Sequence, residues 1–352
     1  MSGPGFGKPQ SGFRVHKRSL EPTTMALGVD ATPIDRFFVC NVGDAVAVDA
    51  AAWVLSVGGD GAGRSLTLTI DDLRALPQHA LDAWLECAGN GRRLFELVDG
   101  HVPSKLEADT QWTLGAMGMA SWRGPRLADV LAGAEPSDAA AWVSPQGLDH
   151  HNVEGEPPRM CLPLDKAIDP DTILALEMNG APLTIAHGAP VRLVVPGWIG
   201  AYSMKWIERI DITAGWVPSW RGDVYYRRRE PDGTDLGPAT THPVKSSVAL
   251  EWGESVPAGP VDLVGYARSG AGPITRVEWS VDEGPWQEAE LVDLPGRWSW
   301  TPFRVRVDLA AGEHEIRTRA TDSTGATQPD SVPYNPSTIL WNAVTPHPLV
   351  AT

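Results

Sequence analysis

Cys87 and its neighbours are the part of this sequence best suited to chemistry. The run Trp84–Arg93 reads WLECAGNGRR, so one thiol ends an apolar segment, enters a turn of small residues and precedes Arg92 and Arg93. A thiolate is a soft metal ligand, and nearby guanidinium groups favour the ionised thiol and attract anions. This combination suits a metal centre that acts on an oxyanion. The alternative is an inert, buried cysteine beside a turn with surface arginines.

The segment before Cys87 has the alternation of a β-strand. Leu81, Ala83, Leu85 and Cys87 fall on one face of this strand, so the thiol is predicted to point the same way as core residues. A metal ligand needs such a rigid position away from water. The strand therefore has the geometry required to hold a metal-binding thiol.

Short strands and short helices alternate over the first 240 residues, which predicts an α+β domain. Thr69 and Asp72 form a capping-box pattern before a short helix that should end at Pro77. A second helix is expected near 127–131, and strands are predicted at 37–39, 53–57, 66–69, 141–143, 173–178 and 191–195. Residues 1–30 are rich in Gly, Pro and Ser without periodicity, which predicts a mobile or wrapping tail.

The pattern changes after residues 215–260, a stretch with tryptophans and prolines that is predicted to be a connection and linker. Strands of period two then alternate with Gly, Asp and Pro turns at about every 8–12 residues, which indicates an immunoglobulin-like β-sandwich. The predicted strands are 261–265, 277–281, 298–300, 305–309 and 314–318.

Composition excludes several classes of protein. A net charge of −15 over 352 residues argues against nucleic-acid binding, which requires a basic face. The acidic surface could steer a basic partner such as a cytochrome, although an acidic pI usually reflects only solubility. The three cysteines form no CxxC or CxxCH motif, so no zinc ribbon, disulfide framework or c-type haem is expected. We expect no membrane segment and a cytoplasmic protein, although removal of an export signal for the periplasm would leave the same sequence.

The run Glu86–Arg92 resembles the molybdenum-ligating cysteine loop of the sulfite oxidase family of molybdopterin enzymes. Downstream blocks agree in order: EMNGAPL at 177–183, HGAPVR at 187–192, PGWIG at 196–200 and SMKW at 203–206. The resemblance covers roughly residues 30–345. It implies an α+β fold, with a mixed α/β molybdopterin-binding catalytic domain at 31–240 and an immunoglobulin-like dimerisation sandwich at 245–345. The alternative for the second domain is a sandwich that merely caps the first.

The resemblance implies a molybdenum–molybdopterin cofactor, an anionic pyranopterin phosphate whose dithiolene holds the metal, with Cys87 as the protein ligand. The cofactor contacts carried over are Phe38, Val39, Cys40, Asn41, Val42, Asp149, His187, Arg192, Ser203, Met204 and Lys205. A phosphate is suited by Arg, Lys and the N–H groups of Gly-rich turns. His150 and His151 are interpreted as an exposed loop, because no third metal ligand is spaced to join them.

The expected substrate contacts depart from those of the family. Arg92 matches one anion-binding arginine, and Tyr225 or Tyr226 matches a tyrosine able to relay a proton. Cys40 and Thr301 stand where the family has arginines, and Val42 replaces a histidine. Arg221 or the run Arg227–Arg229 could supply compensating charge.

The resemblance therefore implies an oxidoreductase that oxidises sulfite to sulfate by oxo transfer. Electrons would pass to an external acceptor, and the chain would form a homodimer. The first alternative keeps the cofactor but changes the substrate to an S- or N-oxide or another sulfur compound, which the changes at Cys40 and Thr301 favour. The second alternative is a binding scaffold without catalysis.

Overall fold

The structure is a computed structural model that describes residues 8, 11–16, 18–41, 43–101, 110–149, 157–230, 232–292 and 296–352. The first part mixes strands with short helices. In chain order it comprises β1 (Phe13–His16), β2 (Ser19–Pro22), β3 (Val54–Gly58), β4 (Leu66–Thr69), α1 (Ile70–Ala75), β5 (Gln78–Glu86), α2 (Arg92–Leu97), β6 (Met117–Pro125), α3 (Leu127–Gly133), β7 (Trp142–Gly147), β8 (Leu162–Pro163), α4 (Leu164–Ala167), β9 (Ile173–Ala175), β10 (Glu177–Met178), β11 (Ala181–Pro182), β12 (Arg192–Val194) and β13 (Ile207–Thr213).

The second part is built from strands. In chain order it comprises β14 (Arg227–Arg229), β15 (Asp235–Pro238), β16 (Lys245–Val248), β17 (Glu254–Val256), β18 (Gly259–Arg268), β19 (Ile274–Val281), β20 (Gln287–Glu288), β21 (Glu290–Leu291), β22 (Thr301–Leu309), β23 (Gly312–Asp322) and β24 (His347–Ala351). Two 3-10 turns, at Thr24–Leu27 and Ile185–His187, and one π-helical turn at Arg221–Tyr225 complete the regular elements.

The first part is organised around two sheets. One has the strand order β4-β3-β13-β7-β8, with β3 and β13 parallel, and the other has the order β11-β10-β6-β5. The long β5–β6 pair runs antiparallel in register from Gln78 opposite Pro125 to Glu86 opposite Met117. The turn that contains Cys87 follows directly after the last residue of β5. The predicted capping box is confirmed, because the Thr69 side chain accepts from the Asp72 N–H and Asp72 binds back at the N-terminus of α1.

The second part is a β-sandwich, as the alternating pattern predicted. Its sheets have the orders β16-β18-β22-β21 and β17-β24-β23-β19-β20, and their inner faces form a separate apolar core. Strand β22 alternates buried and exposed residues along most of its length. The segment 215–260 also contains β14–β17 and the π-helical turn, so it has more regular structure than a simple linker.

Two predicted strands differ in the structure. Residues 37–39 form no sheet strand with any described segment; the pairing found there among the described residues is a bridge between Val39 and Leu20. Residues 298–300 contribute one bridge, from Trp298 to Ala83, and the following strand begins at 301. At the end of β5 both faces are buried, and Trp84 packs in an apolar cluster with Tyr266 and Trp300. Short buried segments with aromatic residues look like strands whether or not a partner strand is present.

The N-terminal segment contains a hairpin. Strands β1 and β2 pair with each other, and Leu20 and Glu21 are fully buried. Val42, His150 and His151 lie outside the described residues. In the described part of the chain, no helix is long and apolar enough to cross a membrane.

Candidate active site

Cys87 lies in the turn after β5, and backbone hydrogen bonds hold this turn in place. The Cys87 N–H donates to the Ala116 carbonyl (2.9 Å), and the Cys87 carbonyl accepts from the Asn90 N–H (2.9 Å). The Gly200 N–H donates to the Glu86 carbonyl at 2.7 Å. A Cβ at position 200 would lie 2.7 Å from that oxygen, so this close approach requires glycine. Groups far away in sequence thus fix the position of the thiol.

The Cys87 side chain lines a cleft together with residues from several distant segments of the chain. The predicted site residues that line the same cleft are Phe38, Cys40, Asn41, Asp149, His187, Arg192, Ser203, Met204, Lys205 and Tyr226. Val39 is instead buried in a small apolar cluster with Leu20. The chain thus brings together most of the residues that the resemblance selected, from segments that are distant in sequence.

The thiols of Cys40 and Cys87 lie 3.9 Å apart. The contact with Cys87 lowers the pKa of Cys40 to about 6, whereas the same contact and burial raise the pKa of Cys87 well above its usual range. Arg92 lowers the pKa of Cys87, but this effect is outweighed. Arg92 thus favours the Cys87 thiolate as expected, but the contact with Cys40 and burial have the larger effect and keep the thiol protonated. The charge of a bound metal ion favours the thiolate.

Several buried donors in the cleft face a common space. The guanidinium of Arg192 donates to the carbonyls of His187 (3.2 Å) and Ser203 (2.8 Å). Lys205 donates to the side-chain oxygen of Asn41. Arg192 Nε and Asn41 Nδ2 are buried without a hydrogen-bond partner within the described ranges. Unpartnered buried donors are rare in proteins, and here they indicate a site for an acceptor.

The pKa values of these cations show that they are crowded. Burial lowers the pKa of Arg192 to about 9, and burial followed by repulsion from Arg192 lowers the pKa of Lys205 to about 7. Burial likewise lowers the pKa of Lys8 to about 7. The pKa of His187 is held well below its usual range by burial and then by neighbouring cations. A bound anion would reverse these shifts, so the cluster fits a phosphate group.

Arg92 is the first residue of α2 and contacts Tyr225, another predicted substrate residue. It is only 5% exposed, and its Nη2 donates to the Tyr225 hydroxyl at 2.9 Å. Burial lowers the pKa of Arg92, but Tyr225 and Cys87 outweigh burial, so the net shift is upward. Burial raises the pKa of Tyr225, and it raises that of Tyr226 well above the usual range. Both hydroxyls therefore carry their protons at neutral pH.

Thr301, at an expected arginine position, and the two candidate sources of compensating charge lie in different parts of the structure. Thr301 begins β22 and pairs with Ala267 of β18. Arg227 forms an ion pair with Asp235 at 2.6 Å in the β14–β15 hairpin. Arg221, in contrast, lines the cleft.

A buried ionic network beneath the Cys87 turn was missed by the sequence analysis. Both carboxylate oxygens of Glu86 accept from Arg268 at 2.5 Å, and one also accepts from Lys245 (3.1 Å) and Asn90 (2.8 Å). Burial opposes ionisation of Glu86, but Arg268 and Lys245 outweigh it and hold the pKa of Glu86 well below its usual range. The two cations belong to the sandwich. The available signal was an acid directly before the metal-ligand position, at the end of an apolar strand.

Comparisons with known proteins agree with the arrangement of this site. The family model described as oxidoreductase molybdopterin binding domain matches residues 42–220, and that of the Mo-co oxidoreductase dimerisation domain matches residues 238–345. Sulfite oxidase of Gallus gallus is 38% identical over 332 residues, which cover 88% of this chain and 70% of that protein. This chain belongs to the sulfite oxidase family of molybdopterin oxidoreductases. Mitochondrial sulfite oxidase of Mus musculus is 35% identical over 339 residues, and the chain spans 60% of the length of that relative.

A solved structure agrees with the sequence relatives. The sulfane dehydrogenase SoxCD from Paracoccus pantotrophus has a TM-score of 0.81 and 27% identity, covering 93% of this chain and 82% of that chain. The comparisons confirm the predicted α+β domain followed by a sandwich, and the predicted molybdopterin cofactor. They indicate an oxidoreductase of the family and do not favour the reductase or scaffold alternatives.

Proposed function

We propose that this chain oxidises sulfite to sulfate at a molybdenum–molybdopterin cofactor held by Cys87. In the overall reaction, sulfite and water give sulfate, two protons and two electrons. The observation that carries the proposal is that the Cys87 thiol opens into the same cleft as the buried cations Arg192 and Lys205. A metal-binding sulfur and an anion-binding cluster in one cleft are what a phosphate-bearing metal cofactor needs.

The proposed roles follow from the contacts. Cys87 binds the metal, and Arg192, Lys205 and His187 hold the cofactor phosphate. Phe38, Cys40, Asn41, Asp149, Ser203 and Met204 line the rest of the cleft and are assigned to the remaining cofactor surface. The cofactor held by these residues would supply oxygen-atom transfer and would take up the two electrons. We assign no contact to Val39, whose side chain is buried elsewhere, and Val42 remains a prediction.

Arg92 and Tyr225 are proposed to act as a unit beside the reacting centre. Because the pKa of Tyr225 is raised, its hydroxyl keeps a proton that it can donate to an oxygen of the substrate or product. Arg92 holds this hydroxyl at 2.9 Å and supplies positive charge. Tyr226 lines the cleft wall and packs at right angles to Tyr225, with ring centroids 4.8 Å apart.

We further propose a homodimer formed through the sandwich, supported by the match of residues 238–345 to a dimerisation domain. The division into a tail at 1–30 and domains at 31–240 and 245–345 remains our proposal. Electrons would leave to a separate acceptor, and the net charge of −15 suits a basic cytochrome. A cytoplasmic location remains an expectation, which fractionation of producing cells would check.

The direct test is steady-state kinetics on protein from a host that makes the cofactor. We expect one molybdenum per chain, a sulfite-dependent reduction of ferricyanide, and much slower reduction of sulfoxides or nitrate by the chemically reduced enzyme. Stoichiometric molybdenum with no oxidation of millimolar sulfite would contradict the proposed substrate. Absence of molybdenum would contradict the proposed cofactor site.

A further inference from the structure

Three of the five N–H groups of the Arg92 guanidinium are bound within the described part of the protein. Its Nε donates to Thr338 (3.1 Å to Oγ1), its Nη1 donates to the Thr110 carbonyl (3.0 Å), and its Nη2 donates to the Tyr225 hydroxyl. Within the described residues, one N–H on Nη1 and one on Nη2 remain, but an anion that took the Nη2 donor bound to Tyr225 would release that hydroxyl. Arg92 therefore positions Tyr225, and these two N–H groups are its remaining donors.

Arg221 is in the opposite situation. It lines the cleft, and its buried Nη2 has no hydrogen-bond partner in the ranges that the structure describes. Arg221 lines the same cleft as Cys40 and Tyr226, and its charge lowers the pKa of both groups. A buried donor left without an acceptor is unfavourable, and an oxyanion in the cleft would supply one.

The backbone that carries Arg221 is held in a defined shape. Asp223, in the same π-helical turn, accepts from the Ser219 N–H (2.7 Å) through one oxygen and from Trp216 Nε1 (2.9 Å) through the other. The Ser219 hydroxyl in turn accepts from the Gly222 N–H at 3.0 Å. The nearest acid in the turn is thus occupied by other donors, and the turn is fixed before a ligand arrives.

We propose that Arg221 binds the substrate oxyanion in this cleft. A guanidinium can donate to two oxygens of sulfite or sulfate at once, which provides both charge and orientation. Arg221 thereby supplies, from another element, the positive charge missing at Cys40. This inference rests on the proposed function for the identity of the anion as a sulfur oxyanion.

The test compares Arg221→Met with Arg228→Met in the cofactor-loaded protein. Arg228 is an exposed arginine of the neighbouring β14 strand, so its variant makes the same change in net charge away from the cleft. We expect Arg221→Met to raise both the sulfate Kd, measured by titration calorimetry, and the sulfite KM by about 10- to 100-fold. Arg221→Lys should recover part of the affinity, whereas Arg228→Met should change both constants less than about twofold.

Three outcomes overturn the proposal. The first is an unchanged sulfate Kd in Arg221→Met. The second is an equal weakening by Arg228→Met, which would indicate a general charge effect. The third is a folded Arg221→Met protein that has lost its molybdenum, because Arg221 would then hold the cofactor. If the wild-type protein binds sulfate through Arg221 but does not oxidise sulfite, the proposed function fails while the assignment of Arg221 stands.

Discussion

At the scale of single residues, the site depends on which donors are already satisfied. Arg92 and Arg221 are both arginines close to the Cys87 turn, yet only Arg221 has a buried nitrogen without a partner in the described structure. Arg92 instead holds Tyr225, which converts a flexible phenol into an oriented proton donor. The chemistry available to an arginine thus depends on its neighbours as much as on its position in a motif.

The two adjacent tyrosines can be separated by substitution. We expect Tyr225→Phe to lower kcat for sulfite by about 100-fold, since loss of a positioned proton donor removes general acid–base assistance. Tyr226→Phe is the matched control, because it removes the hydroxyl of the adjacent tyrosine, which lines the cleft, and a smaller effect is expected. The measurement is steady-state kinetics per molybdenum. A larger loss in Tyr226→Phe would reverse the assignment of the two roles.

The sequence predicted the identity of most cleft residues but not their hydrogen-bond partners. The Cys87 turn, His187, Arg192 and Lys205 lie in contiguous motifs, so a local pattern was sufficient to select them. The partners of Arg92 could not be predicted in the same way. Thr338 and Tyr225 lie 246 and 133 positions away, and only the folded chain brings them to its guanidinium.

At the scale of elements, the sandwich contributes directly to the metal-binding turn. Lys245 of β16 and Arg268 of β18 insert between the two parts and bind Glu86, the residue before Cys87. Lys245 also donates to the Asn90 carbonyl at 2.9 Å. The second part therefore helps to hold the turn, in addition to its match to a dimerisation domain.

Because the sandwich supports the turn, two arginines of the same sandwich sheet should contribute unequally to the free energy of unfolding. Arg268→Met should lower the free energy of unfolding by about 3–5 kcal/mol, because it leaves the buried Glu86 carboxylate with fewer partners. Arg306→Met removes an exposed pair with Asp262, and it should cost less than about 1 kcal/mol. Urea denaturation followed by tryptophan fluorescence measures both.

The Arg268→Met protein should also retain less molybdenum, since the turn that presents Cys87 loses its support. Metal analysis after size-exclusion chromatography checks this expectation. Equal stability and metal content in the two arginine variants would show that the network does not support the turn.

The elements themselves were largely predictable, and the exceptions share one cause. Local patterns located β3, α1, α3 and the sandwich strands, because capping and alternation are short-range signals. The segment 37–39 has the composition of a strand but only one bridging partner. Pairing depends on which distant segment lies alongside, and composition does not encode that.

At the scale of the whole molecule, charge is distributed unevenly. The chain carries a net charge of −15, whereas its cleft concentrates Arg192, Lys205 and Arg221. A positive cleft in an acidic protein attracts a small anion to the site, while the outer surface favours a basic macromolecule. The same distribution suits an enzyme that takes electrons from an oxyanion and passes them to a cationic carrier.

The crowded cations predict a pH dependence of stability for protein made without the cofactor. The folded pKa of Lys205 is about 7, against 10.5 for an ordinary lysine, so the folded chain binds fewer protons than the unfolded chain between these values. The free energy of unfolding should therefore rise with pH from 7 to 8.5. Lys8 acts in the same direction. Urea midpoints at the two pH values provide the measurement.

The matched control is Lys205→Met, in which the rise with pH should be smaller. Cofactor-loaded protein should also show a smaller rise, because a bound phosphate restores the lysine charge. A midpoint that falls between pH 7 and 8.5 in the cofactor-free wild-type protein would contradict this account of the cluster.

The central claim is the bond between the Cys87 sulfur and molybdenum, and X-ray absorption at the molybdenum edge tests it most directly. The wild-type sulfur shell should contain the dithiolene sulfurs and one more from Cys87. In Cys87→Ser, that extra sulfur should be absent, and sulfite turnover per molybdenum should fall by about 100-fold or more, since even the loss of outer-shell partners costs up to that factor. An unchanged sulfur shell in Cys87→Ser would contradict the assignment of Cys87 as the metal ligand.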